Sequence, residues 1–140
     1  MRTELDLFIS FNWNDRSQTR DINQYLRRQG IATFYAETEL TKRGSPSIFQ
    51  TAYEALGNSR CFLLVLGVRG IGNSQQIEID RAVVRHRAVK SDFTIYNLLL
   101  DGITASVLPS EVSKNKIFIY PTQRSSHQET SLEALSREIK

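Results

Sequence analysis

Apolar side chains recur along the chain with two spacings, so that strand-like and helix-like segments alternate. Five segments are rich in aliphatic, β-branched and aromatic residues and predict strands. The third of them, RCFLLVLGV, is apolar almost throughout, which is typical of a strand covered on both faces inside a parallel sheet. The five predicted strands cover residues 5–11, 31–36, 60–68, 93–100 and 116–120.

Segments with helical spacing lie between and after these strands. Polar capping residues or a first-turn proline precede the first two segments, and a glycine closes each of them. No internal repeat or low-complexity segment interrupts the alternation. The first predicted helix starts after Asn14 or Asp15 and ends at Gly30, and the second starts at Ser45 and Pro46 and ends at Gly57. The third covers about 74–89 and the fourth covers 129–139, whereas residues 101–113 are irregular.

This alternation predicts an α/β fold of the flavodoxin-like type, a three-layer sandwich with a five-stranded parallel sheet and helices on both faces. The length of 140 residues suits one domain with one core, and we expect residues 1–140 to form it. Ligands of such sheets bind beyond the carboxyl ends of the strands, where the strand order reverses. Three loops are expected to leave those ends, namely 12–15, 37–45 and 68–73.

Composition excludes several classes of function. The net charge of +3, from 18 basic and 15 acidic residues, is too even for a nucleic-acid binder. The longest apolar run, residues 61–66, is far too short to span a bilayer, and no leader peptide is evident, so we expect a cytoplasmic protein. A cluster of basic residues is interpreted as a solvated helix face. The cluster comprises Arg81, Arg85, His86, Arg87 and Lys90.

The residues that commonly bind metals are sparse. A single cysteine, Cys61, excludes an internal disulfide and a Cys-rich metal site, and its place in a predicted strand suggests a buried, inert thiol. His86 and His127 have no partners at the spacing of metal ligands and are expected on the surface. We therefore expect neither a metal nor a resident cofactor.

Four motifs in order resemble those of Toll/interleukin-1 receptor (TIR) domains, over Asp6 to about Val84. DLFISFNWND resembles the first strand and loop of the family, and LRRQGIATFYAETEL resembles the helix end, second strand and start of its BB loop. CFLLVLG is similar to the third strand, and GIGNSQQIEI is similar to the bacterial pattern G-L-G-P-W-Q-x-x-E-I. The last third of the chain resembles the family only in its order of strands and helices.

The resemblance implies a function. In enzymatic TIR domains the acid of the W-x-x-x-E pattern cleaves NAD+, and it corresponds to Glu78 here. The resemblance also implies homotypic self-association through the BB loop, from Glu37 to Ser45. The chain departs from the family pattern in two ways. Ser74 replaces the family's tryptophan, and the BB loop, with the sequence ELTKRGSPS, is one residue longer than the common form. An aromatic wall beside the glutamate is then expected from elsewhere in the chain, with Trp13 as the candidate.

One isolated carboxylate suits this reaction. Cleavage of the bond between ribose and nicotinamide expels a neutral group from a cationic ring, so no general acid is needed. The transition state requires negative charge beside an oxocarbenium-like ribose and hydrogen bonds to the ribose hydroxyls. The competing interpretation of Glu78 is a first-turn acid that complements the helix dipole, worth only about 0.3 to 1 kcal/mol.

Other residues are candidates for substrate contacts. Aromatic rings in or beside the first loop suit the flat nicotinamide or adenine, although Phe11 equally suits the core. The hydroxyl of Ser10, at the end of the first strand, suits a contact with a ribose or phosphate. Glu37 and Glu39 of the BB loop either contact the substrate or are solvated. The glycines of GIGNSQ allow close backbone approach but do not form a dinucleotide fingerprint. The candidate substrate-binding residues are Ser10, Phe11, Trp13, Glu37, Glu39 and Ser74.

Three functions of different kinds remain open at this stage. The first is an NAD+ nucleosidase that yields nicotinamide and ADP-ribose or a cyclic isomer, activated by self-assembly in immune or stress signalling. The second is a non-catalytic TIR module that acts by protein-protein interaction. The third is another N-glycosidase, such as a nucleoside deoxyribosyltransferase, which has a similar sheet and also uses a glutamate.

Overall fold

The computed structural model describes residues 5–35, 48–88, 91–100, 102–120 and 126–140, without the side chains of 48–50 and 126–130. The expectations about Glu37, Glu39 and the loop to Ser45 lie outside these residues. The strands are β1 (Leu5–Ser10), β2 (Thr33–Tyr35), β3 (Ser59–Leu66), β4 (Thr94–Leu100) and β5 (Lys116–Tyr120). The helices are α1 (Arg16–Arg28), α2 (Ile48–Gly57), α3 (Asn73–Arg87) and α4 (Ser126–Ile139), and short 3-10 helices cover Trp13–Asp15 and Ala105–Val107.

The strands form one five-stranded sheet in the order β2-β1-β3-β4-β5, and every neighbouring pair is parallel. This order confirms the predicted flavodoxin-like fold. β1 lies between β2 and β3, so the strand order reverses there, and ligands of such sheets bind beyond the carboxyl ends at that point. At that edge Ser10, the last residue of β1, is paired with Leu64 of β3.

Helices cover both faces of the sheet, and each face has its own apolar cluster. Because strand side chains alternate, Leu7 and Ile9 of β1 face α1 and α4, whereas Phe8 faces α2 and α3. The side chains of β3 are buried almost without exception, as its unbroken apolar run predicts. Helix residues in the two clusters are Ile22, Leu26, Leu132, Leu135 and Ile139 on one face and Ala52, Ala55, Leu56, Ile79, Ala82 and Val83 on the other.

The start of α1 differs from the prediction. Asp15 precedes the helix but forms no capping hydrogen bond with its side chain. The capping residue is Asn12, whose side-chain oxygen accepts a 2.9 Å hydrogen bond from the backbone N–H of Asn14. The polar stretch therefore folds as a capped 3-10 turn before the helix begins, which turns the chain sharply at the carboxyl end of β1. The prediction that Gly30 closes the helix agrees with the structure, since this glycine has a φ of 85°.

The basic cluster on α3 is only partly a solvated face. Arg85 donates hydrogen bonds to the carbonyl oxygens of Leu56 at 2.6 Å and Ser59 at 2.5 Å, and its guanidinium lies 4.2 Å from the centre of the Phe93 ring. This arginine therefore joins α2, β3 and the start of β4, and the predicted solvated role is wrong for it. Arg87 is exposed, as predicted.

The remaining general expectations concern Cys61 and the membrane. Cys61 is free and 2% exposed, and burial raises the pKa of its thiol, which keeps it in the unreactive form. None of the helices within the described residues combines the length and apolar character needed to cross a bilayer. The described residues also include no group of three His, Cys, Asp or Glu side chains that is arranged to hold a metal.

Candidate active site

Ser10 and Glu78 meet at the carboxyl edge of the sheet. Ser10 is fully buried at the end of β1, and Glu78 is half-buried on α3. The Ser10 hydroxyl donates a 2.7 Å hydrogen bond to Oε1 of Glu78. The contact lies at the point where the strand order reverses, which is the expected ligand position in this fold.

The environment of Glu78 changes its acidity. Burial raises the pKa of the carboxyl from 4.5 to about 7, and it outweighs the Ser10 hydrogen bond and the nearby charge of Arg81, both of which lower it. A group with a pKa near 7 is present in both protonation states at neutral pH. Strongly shifted carboxyl groups in a crevice are typical of functional sites.

Glu78 lies in the second turn of α3, not the first. The helix begins at Asn73, and its first turn contains no acidic residue. Interaction with the helix dipole decreases within the first turn, so it gives little stabilisation to a carboxylate at this position. The interpretation of Glu78 as a first-turn acid is therefore wrong, and a carboxylate that costs free energy to bury needs another explanation.

The amide side chain of Gln75 fixes the start of α3. The nitrogen of Gln75 donates to the carbonyl oxygens of Ser10 and Val65, at 3.2 and 2.9 Å, and its oxygen accepts from the N–H of Gly72 at 3.1 Å. Asn12 also reaches this loop and donates to the carbonyl of Gly70 at 3.2 Å. The loop after β3 is therefore held to the ends of β1 and β3 by side-chain amides.

Asp15 is a second buried acid at the same edge. It is 7% exposed, and its Oδ2 has no hydrogen-bond partner among the described residues. Burial raises the pKa of its carboxyl, and the charge of Arg69 opposes this effect. The carboxylate fills the space beside Gly67, where a Cβ atom would lie 2.5 Å from Oδ1. Gly67 therefore allows the loop after β3 to approach the first turn closely.

The aromatic residues of the first loop lie on the other side of β1. Phe11 packs with the cluster of α1 and α4, and its ring is stacked 4.9 Å from that of Tyr35. The ring of Trp13 is 6.5 Å from Phe11, it is 50% exposed, and the guanidinium of Arg16 lies 4.9 Å from its centre. Glu78 lies on α3, which covers the opposite face of the sheet. The ring of Trp13 is therefore supported by Phe11 and Arg16, and its role as an aromatic wall beside Glu78 stays a prediction.

Ser74, another predicted substrate contact, precedes Glu78 by four residues on α3, which places the two on the same face of the helix. Ser74 is exposed in the first turn of α3. A cavity of about 1010 Å³ lies between α2 and α3, but its lining includes Leu5 at the amino end of β1 and excludes Ser10 and Glu78. The Ser10–Glu78 pair therefore lies outside this cavity, which follows α2 and α3.

Gln75 and Asn12 were not predicted from the sequence as parts of the candidate site. A signal was present for Gln75, because the glutamine stands in the same place in the family pattern that identifies Glu78. Asn12 also had a local signal, since asparagine after a strand often caps the following turn. Their bonds to distant backbone groups depend on the sheet and had no signal in the sequence.

Fold and site together define a doubly wound α/β domain with a half-buried carboxylate at the carboxyl edge of its sheet. The family model for the TIR domain matches residues 7–135. The chain belongs to the TIR-domain family. No curated protein is significantly similar to it in sequence.

Solved structures agree with this fold. The metazoan TIR-STING receptor from C. gigas in complex with 2′,3′-cGAMP is similar with a TM-score of 0.71 and 18% identity, over 96% of this chain and 40% of that chain. Another structure of a TIR-STING receptor from C. gigas gives a TM-score of 0.65 and 17% identity, over 96% of this chain and 41% of that chain. The present chain thus spans about two fifths of the length of these receptors.

Proposed function

We propose that this chain is an NAD+ nucleosidase, which cleaves the bond between nicotinamide and ribose and uses Glu78 as its catalytic carboxylate. The observation that carries the proposal is the contact between Ser10 and Glu78, a half-buried carboxyl with a pKa near 7 at the ligand edge of a TIR domain. TIR-family membership favours NAD+ as the substrate over the deoxynucleosides of a deoxyribosyltransferase.

The reaction needs few protein groups. The bond between C1′ and the pyridinium nitrogen breaks with both electrons going to nitrogen, so nicotinamide leaves as a neutral molecule. The ionised Glu78 stabilises the positive charge that develops on the ribose. Water then attacks C1′ and loses a proton, which gives ADP-ribose, whereas attack by an atom of the adenine gives a cyclic isomer.

The burial of Glu78 supports this role. A carboxylate in a partly dehydrated crevice interacts more strongly with a developing positive charge than one in water. Ser10 orients one carboxylate oxygen through its hydroxyl, and the second oxygen is available for the substrate or its hydroxyls. Removal of a preorganised group of this kind typically costs roughly 3 to 4 kcal/mol of transition-state stabilisation.

The decisive experiment is nicotinamide release from NAD+ by the wild-type chain and the Glu78→Gln variant. We expect release by the wild type and a loss of at least about a hundredfold in the variant. Asp80→Asn is the matched control, because Asp80 is an exposed acid on the same helix and its side chain accepts a hydrogen bond from Gln76. Near-normal turnover in Glu78→Gln with an unchanged melting temperature would contradict the catalytic role.

A wild-type chain that releases no nicotinamide would favour the second hypothesis, a TIR module that acts only through protein-protein interaction. Supplying deoxynucleosides in place of NAD+ tests the third, a deoxyribosyltransferase. The two outcomes are distinct because each assay detects a different released base.

We further propose that cleavage depends on homotypic self-association through the loop from Glu37 to Ser45. This loop is polar and contains Lys42, Arg43 and Gly44, which suits an electrostatic contact with a neighbouring copy. Specific activity is expected to rise with protein concentration. Charge reversal at Lys42 and Arg43 is expected to remove that dependence. Constant specific activity in a chain that light scattering shows to be monomeric would exclude the proposal.

A further inference from the structure

The side chain of Gln75 connects three backbone segments. Its nitrogen donates hydrogen bonds to the carbonyl oxygens at the ends of β1 and β3, those of Ser10 and Val65. Its oxygen accepts a hydrogen bond from Gly72, at the start of α3. Gln75 is only 1% exposed, so solvent does not compete for these bonds. Both donor hydrogens of the amide are used on strand ends.

Gln75 and Glu78 reach the same residue of β1. They lie three positions apart on α3, which places them on the same face of the helix. Gln75 binds the carbonyl oxygen of Ser10 at 3.2 Å, and Glu78 binds its hydroxyl at 2.7 Å. The first of these contacts fixes the helix to the strand one turn before the second. Any sliding of α3 along β1 therefore breaks both.

We propose that Gln75 is a positioning residue, which holds the carboxylate of Glu78 within hydrogen-bonding distance of the Ser10 hydroxyl. The value of this arrangement for NAD+ cleavage rests on the proposed function, whereas the positioning itself does not. A glutamine that only supports the fold would affect stability alone. The two roles are separated by measuring the state of the Glu78 carboxyl directly.

The acidity of Glu78 reports its contact with Ser10. Two groups lower the pKa of its carboxyl against the effect of burial, the Ser10 hydroxyl from β1 and the charge of Arg81 from α3 itself. Loss of the hydrogen bond from Ser10 leaves burial opposed by Arg81 alone. The pKa of Glu78 then rises, by about one pH unit for a hydrogen bond to a charged group.

The experiment is a pH titration of the Glu78 side-chain carboxyl by carbon-13 NMR, with its signal assigned by comparison with Glu78→Gln. Gln75→Met removes the three hydrogen bonds at nearly constant volume. Gln75→Ala is a second variant, in which water has room to bind the two carbonyl oxygens if the methionine variant fails to fold. The matched control is Gln76→Met, since Gln76 is the next residue of α3 and binds Asp80 on the same helix.

We expect the titration midpoint to rise by about one pH unit in the Gln75 variants and to stay unchanged in Gln76→Met. In the NAD+ assay, Gln75→Met is expected to lower kcat about fivefold at pH 7 with little change in KM and to recover near pH 9, because ionised Glu78 is restored there. A lower melting temperature with an unchanged midpoint would overturn the proposal. The titration needs no turnover, so it decides the positioning role even if the chain does not cleave NAD+.

Discussion

The hydroxyl of Ser10 donates a hydrogen bond to Glu78 across 68 positions of sequence, at a distance of 2.7 Å. Ser10 ends β1, and Glu78 lies in the second turn of the helix that follows β3. The two strands are adjacent and parallel, so their carboxyl ends bring the two residues to one edge. Because this contact joins β1 to α3, the pKa of Glu78 depends on how closely these two elements are held together.

Replacing Ser10 with alanine is expected to raise the pKa of Glu78 above about 7, because the hydroxyl favours the charged form. If the pKa rises by about one pH unit, the ionised fraction at pH 7 falls from about one half to about one eleventh, and NAD+ cleavage falls about fivefold. Activity is expected to recover above pH 9. Steady-state rates from pH 5 to pH 10 test this, with Ser17→Ala, an exposed serine of α1, as control. A deficit that persists at pH 10 would instead indicate direct contact of Ser10 with the substrate.

Cleavage by the wild-type chain is expected to increase with pH around the pKa of Glu78, about 7. In the proposed mechanism only the ionised carboxylate stabilises the oxocarbenium-like ribose, so protonation of Glu78 below this pH is expected to remove activity. The profile of kcat/KM reports the free enzyme and is the quantity to measure. A rate that is flat between pH 5.5 and pH 8.5 would exclude a carboxylate with this pKa from the reaction.

The same carboxyl makes stability dependent on pH. Its pKa is about 7 in the folded chain and 4.5 ordinarily, so between these values the folded state binds more protons than the unfolded state. The contribution of Glu78 is fully present below pH 4.5 and is lost as pH rises through about 7. The test is denaturant unfolding of Glu78→Gln and wild type at pH 5 and pH 8. The free energy of unfolding of the variant minus that of wild type is expected to be higher at pH 8 than at pH 5, by about 1 to 2 kcal/mol after allowing for solvent access. Equal differences at both pH values would contradict the assignment.

Trp13 is expected to contribute to substrate binding from the α1 side of the edge. Its ring is half exposed and is supported by Phe11, so a flat base can stack on it without prior ordering of the side chain. Trp13→Ala is expected to weaken binding of a non-cleavable NAD+ analogue about tenfold, equivalent to about 1.4 kcal/mol. Calorimetry measures the affinity, and Val107→Ala, at another exposed apolar residue, is the control. An unchanged affinity would leave the ring as part of the protein surface only.

Gly67→Ala is expected to destabilise the fold by about 1 to 3 kcal/mol, because the new methyl group would collide with the buried carboxylate of Asp15. In an Asp15→Ala background the same substitution is expected to cost less, by at least about 1 kcal/mol. Gly57→Ala is the control, since a Cβ there has no other atom within 4 Å. Chemical denaturation of the four proteins of this cycle gives the coupling, and a value of zero would contradict the contact.

Arg85→Ala is expected to reduce the free energy of unfolding by about 2 to 3 kcal/mol, since it leaves two backbone carbonyl groups without their charged donor. It also removes the contact with the ring of Phe93. Arg87→Ala, at an exposed position of the same helix, is expected to change stability by less than about 0.5 kcal/mol. Similar melting curves for the two variants would show that Arg85 is solvated after all.

The elements and the sheet type could be predicted from the sequence. The long apolar run at β3 and the alternation of strand and helix segments are local patterns, and burial of apolar surface makes such patterns form the expected layers. Glu78 could also be found, because a family pattern marks it. The residues between β4 and β5 were predicted to be irregular, and they contain one short 3-10 helix, at Ala105–Val107.

Only the tertiary structure decided which polar groups act together. The sequence predicted a solvated Arg85, yet the fold gives it contacts with Leu56, Ser59 and Phe93. For Trp13 it supplies support from Phe11 and Arg16. It also brought Gln75 to the ends of two strands. Local preferences fix the period and ends of an element, whereas hydrogen bonds between distant segments and the cost of burying a charge depend on how the elements pack. The sequence therefore determined the fold class and singled out Glu78 as the candidate acid, and the packing determined the partners that set its ionisation.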